Sequence, residues 1–109
     1  MPRPVALPIA VGYLRVDPTA PDGEVEEQEA QLHDYAKQRD FDLRHIEWER
    51  TGVIALGRLV GLVEKYRAEH VLVLSMENIT NHPIVELVIR EAVCLDAGAE
   101  LHEVAVPLS

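Results

Sequence analysis

Residues 70–76, HVLVLSM, form a continuous apolar run with loop-like sequence on either side. Such a run offers no polar face to water, so it reads as a strand covered on both sides. A strand of that kind requires three layers, and the flanking segments can supply them. Residues 9–16 (IAVGYLRV) are rich in Ile, Val and Tyr and read as a first strand, stopped by Asp17-Pro18 and a Pro- and Gly-bearing loop. Over 24–39, Val25, Gln28, Leu32, Tyr35 and Ala36 recur at spacings of three and four, which predicts an amphipathic helix. Asp22 or Gly23 can cap it, and Glu24, Glu26 and Glu27 suit its positive end.

Residues 41–48 (FDLRHIEW) give a weaker strand whose alternation breaks at His45. Residues 53–67 carry Leu59, Leu62, Val63 and Tyr66 on one helical face, weakened by Gly57 and Gly61. Beyond the central run, Pro83 suits a first helical turn, and Ile84, Leu87, Val88, Glu91 and Leu95 continue a helix to a stop at Gly98. Residues 100–106 (ELHEVAV) close the pattern as a last strand. The order β-α-β-α-β-α-β, joined by right-handed crossovers, predicts an α/β three-layer sandwich. Its sheet has four or five mostly parallel strands, with helices on both faces.

The 109 residues are expected to form one domain, with 1–8 as a short tail and no room for a DNA-binding domain. No apolar run is long enough to span a membrane, and the opening MPRPVALPIAVG runs into the first strand rather than reading as a signal peptide. Cys94 is alone, which excludes an internal disulfide; within Val93-Cys94-Leu95 it reads as a small buried hydrophobe. Together these features predict a cytoplasmic protein. The net charge of −9, without a Lys/Arg cluster, argues against autonomous nucleic-acid binding.

Four segments, read in order, resemble the catalytic domain of serine recombinases of the resolvase/invertase family. GYLRVDPT resembles that family's opening strand, Tyr-x-Arg-Val-Ser-Thr. EQEAQLHDYAKQRDF resembles the helix that follows, through Gln28, Leu32, Tyr35 and Ala36. HVLVLSMENITN resembles the third strand and its Leu-Asp-Arg-Leu-Ser-Arg end, and LDAGAELHEVAV the strand that closes the sheet. The resemblance covers about residues 8 to 106 and implies a resolvase-like fold.

It also implies a changed site. The family's nucleophilic serine falls at Asp17, where a carboxylate repels phosphate instead of attacking it. The two arginines of the Asp-Arg-x-x-Arg tip, which neutralise charge on phosphoryl oxygens, fall at Asn78 and Asn81. Arg15 and Gln28 are retained, and Arg58 is a candidate for a further family arginine. The long dimerising helix and DNA reader that follow in the family are not expected here. The resemblance therefore implies a catalytically inactive domain serving as a protein-interaction or regulatory module. Its partner is another protein or a second copy of the chain.

Arg15 and Asp17 share a strand face, and Glu77 comes close to both if the first and third strands are neighbours. Two readings of Arg15, Asp17 and Glu77 stay open. One is a structural ion-pair cluster in place of a phosphate site. The other is a ligand or metal site of a small enzyme or sensor, at the carboxyl ends of the strands where open α/β sheets bind ligands.

Elsewhere the chemistry is sparse, and neither cofactor nor metal centre is expected. His82 and Glu86 can share a helix face but lack a third ligand. His45 with Glu47, and Glu100 with His102, read as polar faces of edge strands. Ser75 lies in a buried run, and Gly57-x-x-x-Gly61 lacks the Lys-Ser/Thr of a phosphate loop. Four acids within 24–29 read as a solvated helix start, or as a surface for a basic partner.

Overall fold

The computed structural model of the chain describes residues 7–16, 19, 21–49, 56–80 and 82–105. In chain order it contains β1 (Ile9–Arg15), α1 (Asp22–Gln38), β2 (Asp42–Glu49), α2 (Leu56–Tyr66), β3 (His70–Val73), α3 (Met76–Ile79) and α4 (Pro83–Glu91). A π-helical turn (Ala92–Asp96) extends α4, and β4 (Glu100–Glu103) ends the series. The four strands form one sheet in the order β2-β1-β3-β4, and every pairing is parallel.

Alternation along the central strands divides the core in two. Ala10, Leu14 and Leu72 face α1, where Val25, Leu32 and Ala36 cover them. Val11, Tyr13, Val71 and Val73 face the other way, against Leu59 and Val63 of α2 and against Ile89 and Val93 of α4 and its extension. This is the expected three-layer arrangement. On β1, Gly12 lets α1 approach: a Cβ there would lie 2.8 Å from Leu32 Cδ1 and 3.2 Å from Ile46 Cγ1.

Each long helix ends in a left-handed residue, Asp40 (φ 58°), Arg67 (φ 54°) and Gly98 (φ 70°). At these ends Phe41 N–H donates to Ala36 O, Ala68 N–H to Val63 O and Ala99 N–H to Val93 O, which satisfies carbonyls the helix leaves open. No described helix is long and apolar enough to cross a membrane.

Several local expectations are corrected. The break in alternation at His45 is a register shift. Ala10 pairs with Leu43 and Val11 with His45, so Arg44 is an extra residue, and Leu43, Ile46 and Trp48 all reach the α1 side. The 70–76 run is not all strand. β3 stops at Val73, and Ser75, whose Oγ accepts from Asn78 N–H, caps the short α3. Helix α1 starts earlier than predicted, with Pro21 rather than Asp22 or Gly23 at its cap.

The predicted face of the fourth helix is real but turned outward. Ile84, Leu87, Val88 and Leu95 are exposed, and Ile89, Ala92 and Val93 meet the core instead. Cys94 belongs to that outward side: it is exposed, not buried as its apolar neighbours suggested.

Candidate functional site

At the carboxyl end of the sheet, β1 outruns its neighbour. Its pairing with β3 covers only Ala10 to Gly12, so the backbone of Arg15 has no strand beside it on that edge. Asn78 of α3 takes the strand's place. Arg15 N–H donates to Asn78 Oδ1 and Asn78 Nδ2 donates to Arg15 O, both at 3.3 Å. A side-chain carboxamide has the donor and acceptor of a peptide group, and here it forms the missing rung. The Arg15 guanidinium turns to the same short helix, with Nη1 donating to Ile79 O at 3.2 Å.

On the β2 side, Glu49 is the register partner of Arg15 and its carboxylate is nearly buried. It accepts from Tyr13 Oη at 3.3 Å and pairs with Arg58 of α2 at 3.5 Å. At the far edge, Glu103 Oε1 accepts from Arg90 Nη2 at 2.8 Å and from Met76 N–H at 3.3 Å, while Arg90 also holds Glu86. Arg15, Arg58 and Arg90 are therefore each engaged by groups of the chain itself.

The structure thus brings Arg15 and Asn78 together. Glu77 is exposed, and among the described residues no carboxylate ion-pairs with Arg15. Asp17 and Asn81 lie outside the described residues. Gln28 is half-buried on α1. Sequence reasoning missed Glu49, whose signal was an acid at the end of a predicted strand; its place beside Arg15 follows only from the β1–β2 register.

The opposite end of the sheet holds a second cluster. His70 opens β3 and is the register partner of Glu100, which opens β4; His102 follows two residues later on the same face. His70 Nδ1 and His102 Nε2 are 3.0 Å apart, and Glu100 reaches them at 3.7 and 3.9 Å respectively. Tyr35 Oη and His102 Nδ1 are hydrogen-bonded at 3.0 Å. Phe41 stacks on His70 with ring centroids 4.0 Å apart. Burial holds the His102 pKa below its usual value, against the pull of Glu100; His70 and Arg39 push it in the same direction as burial. The sequence showed Glu100 and His102 as a strand face, and that part holds. What it lacked was His70, brought in by the β3–β4 register.

His45 pairs with Glu47 at 3.5 Å and stacks on Tyr66, a polar arrangement on an edge strand as expected. His82 caps α4 and is exposed, while Glu86 is taken by Arg90.

No protein-family model matches the sequence, and no curated protein does either. Solved structures do match. The C-terminal catalytic domain of ISC1926 TnpA, an IS607-like serine recombinase, aligns at a TM-score of 0.74 and 22% identity, over 91% of this chain and 68% of that one. The N-terminal catalytic domain of TP901-1 integrase aligns at a TM-score of 0.69 and 18% identity, over 88% of this chain and 76% of that one. At such identities the likeness lies in the path of the backbone. The chain has the α/β fold of serine recombinase catalytic domains.

Proposed function

We propose that the chain is a catalytically inactive recombinase-like domain that acts as a protein-interaction or regulatory module, engaging another protein or a second copy of itself. The observation that carries this reading is the outward face of α4. Ile84 is 78% exposed, Leu87 57% and Leu95 76%, with Val88 beside them. Their helical spacing makes one stripe, and a contiguous exposed apolar stripe is a common mark of a protein-binding surface.

Inactivity is supported by the residues that fall at the family's catalytic positions. Asp17 in place of the serine cannot form a phosphoserine link, and it repels the phosphate. At one arginine-matched position, Asn78 is used on backbone. Of the cations nearby, Arg58 is paired with Glu49 and Arg15 donates to Ile79 O. The net charge of −9 also works against holding DNA unaided. The rival reading, a ligand or metal site at Arg15, Asp17 and Glu77, gains no support from an exposed Glu77.

Two assays test the proposal. Sedimentation velocity and co-purification with the tagged chain are run on the parent and on an Ile84→Glu/Leu87→Glu variant. Self-association or a stoichiometric partner is expected, and should be lost in the variant while its circular dichroism is unchanged. Association that ignores the variant, or none at all, rejects the interaction surface. In the second assay, labelled duplex DNA is incubated with the chain and denatured in detergent; any covalent adduct rejects inactivity.

A further inference from the structure

We propose that His70, Glu100 and His102 form a binding site for a divalent transition-metal ion of the zinc type, with two imidazoles and one carboxylate as ligands and a fourth position open to water. The site lies at the amino ends of β3 and β4, whereas Arg15 and Asn78 lie at the carboxyl end of the sheet. It does not depend on the reading of α4.

The argument begins with spacing. Zinc holds nitrogen and oxygen ligands at about 2.0–2.2 Å in a tetrahedron, which puts neighbouring donor atoms about 3.3 Å apart. His70 Nδ1 and His102 Nε2 are 3.0 Å apart, Glu100 Oε2 lies 3.7 Å from the first and Glu100 Oε1 3.9 Å from the second, and one donor from each residue lies within 4.8 Å of the others. Small side-chain adjustments bring all three to tetrahedral distances. The ring nitrogens need part by only a few tenths of an ångström, and rotation of the exposed Glu100 side chain brings one of its oxygens up to both.

The surroundings are arranged as a metal site requires. A ligating histidine needs its remote nitrogen held by a hydrogen bond, which fixes both ring orientation and tautomer. Tyr35 Oη does this for His102: with Nδ1–H donating to the hydroxyl oxygen, Nε2 presents its lone pair to His70 and Glu100. Phe41, stacked 4.0 Å from His70, holds that ring's plane. The side chains of His70 and His102 are only 15% and 10% exposed, while Glu100 is 68% exposed. The site is therefore walled by aromatics on the α1 side and open through its carboxylate, which gives an ion a way in. Imidazole with carboxylate suits zinc and its neighbours better than magnesium or calcium, which take oxygen ligands.

Without a cation, a single hydrogen bond joins the two facing ring nitrogens. A cation replaces that single hydrogen bond with three bonds linking β3 to β4.

The test uses the full chain stripped with chelator, titrated with zinc chloride in competition with a chromophoric chelator, and with cobalt(II) as a spectroscopic stand-in. One equivalent is expected to bind, with the visible ligand-field bands of a four-coordinate cobalt site. Glu100→Gln changes an exposed residue and leaves the core intact; it should weaken zinc by more than about tenfold, as ligand loss costs at least what second-shell loss does. His70→Gln should abolish the cobalt bands, and Tyr35→Phe should weaken zinc by about tenfold through the tautomer it fixes. His45→Gln, at the other histidine–carboxylate pair, should change nothing. Failure of the folded parent to bind one equivalent overturns the proposal. So does binding that survives both Glu100→Gln and His70→Gln, or that depends on His45.

Discussion

Replacing Asn78 with alanine removes both bonds that close the β1 edge. Each exchanges a protein–protein hydrogen bond for one to water, a net loss of about 0.5–1.5 kcal/mol, and the pair sums to about 1–3 kcal/mol. Both bonds are only partly buried and long at 3.3 Å, so water can reach the freed groups of Arg15. The expected loss is therefore in the lower half of that range, about 1–2 kcal/mol. For a domain of this size it lowers Tm by about 4–10 °C. Urea unfolding followed by circular dichroism measures it, with the denaturant slope unchanged because the same surface is exposed. Hydrogen exchange gives a local check: the Arg15 amide should lose protection before the rest of β1. Asn78→Asp keeps the acceptor and loses the donor, so it should cost about half as much. A loss below about 0.3 kcal/mol for Asn78→Ala, with Arg15 protection unaltered, would refute the rung.

Gly12→Ala should destabilise by about 1–2 kcal/mol, because its Cβ meets Leu32 and Ile46 and the overpacking outweighs the entropy gained in the unfolded chain; thermal unfolding reads the sign directly. Leu32→Ala should cost about 2–5 kcal/mol, since this fully buried side chain joins α1 to the sheet; it should lower the urea midpoint accordingly. Arg67→Gly should raise stability by up to about 1 kcal/mol, because glycine relieves the left-handed conformation at the end of α2. No gain in Tm would show that Arg67 contributes a compensating contact.

The element order was legible because apolar spacing changes from two to three and four along the chain, and the central run required cover on both sides. The misreadings share one cause: local pattern does not report what the rest of the molecule places beside it. The irregular alternation near His45 was visible, but only pairing with β1 shows that it accommodates Arg44 as an extra residue. Ser75 reads as interior to an apolar run, yet its hydroxyl starts a helix. The stripe from Ile84 to Leu95 has the spacing of a core face, and spacing does not say which side a helix turns to the sheet. Among site residues, Arg15 was legible from its position in an apolar strand. Its partner Asn78 lies 63 positions away and meets it only because β3 stops short. The His70–Glu100–His102 cluster depends in the same way on register, a quantity that belongs to two strands at once.

All pairings in this sheet are parallel, and none joins strands connected by a tight turn. The shortest route between paired strands passes through a whole helix, and Ala10 meets His70 only after 60 intervening steps of chain. Such a sheet has no hairpin to nucleate it, so loop closure must precede most of the stabilising contacts, and slow folding is the expected result. During synthesis β1 emerges before the other strands. Helix α1 and β2 can cover one face and one edge early, but the edge that pairs with β3 stays open until two helices and another strand have followed. The nascent chain is thus most prone to aggregate at its own most central strand, which makes early docking of α1 over Leu14 and Ala10 the step that protects it.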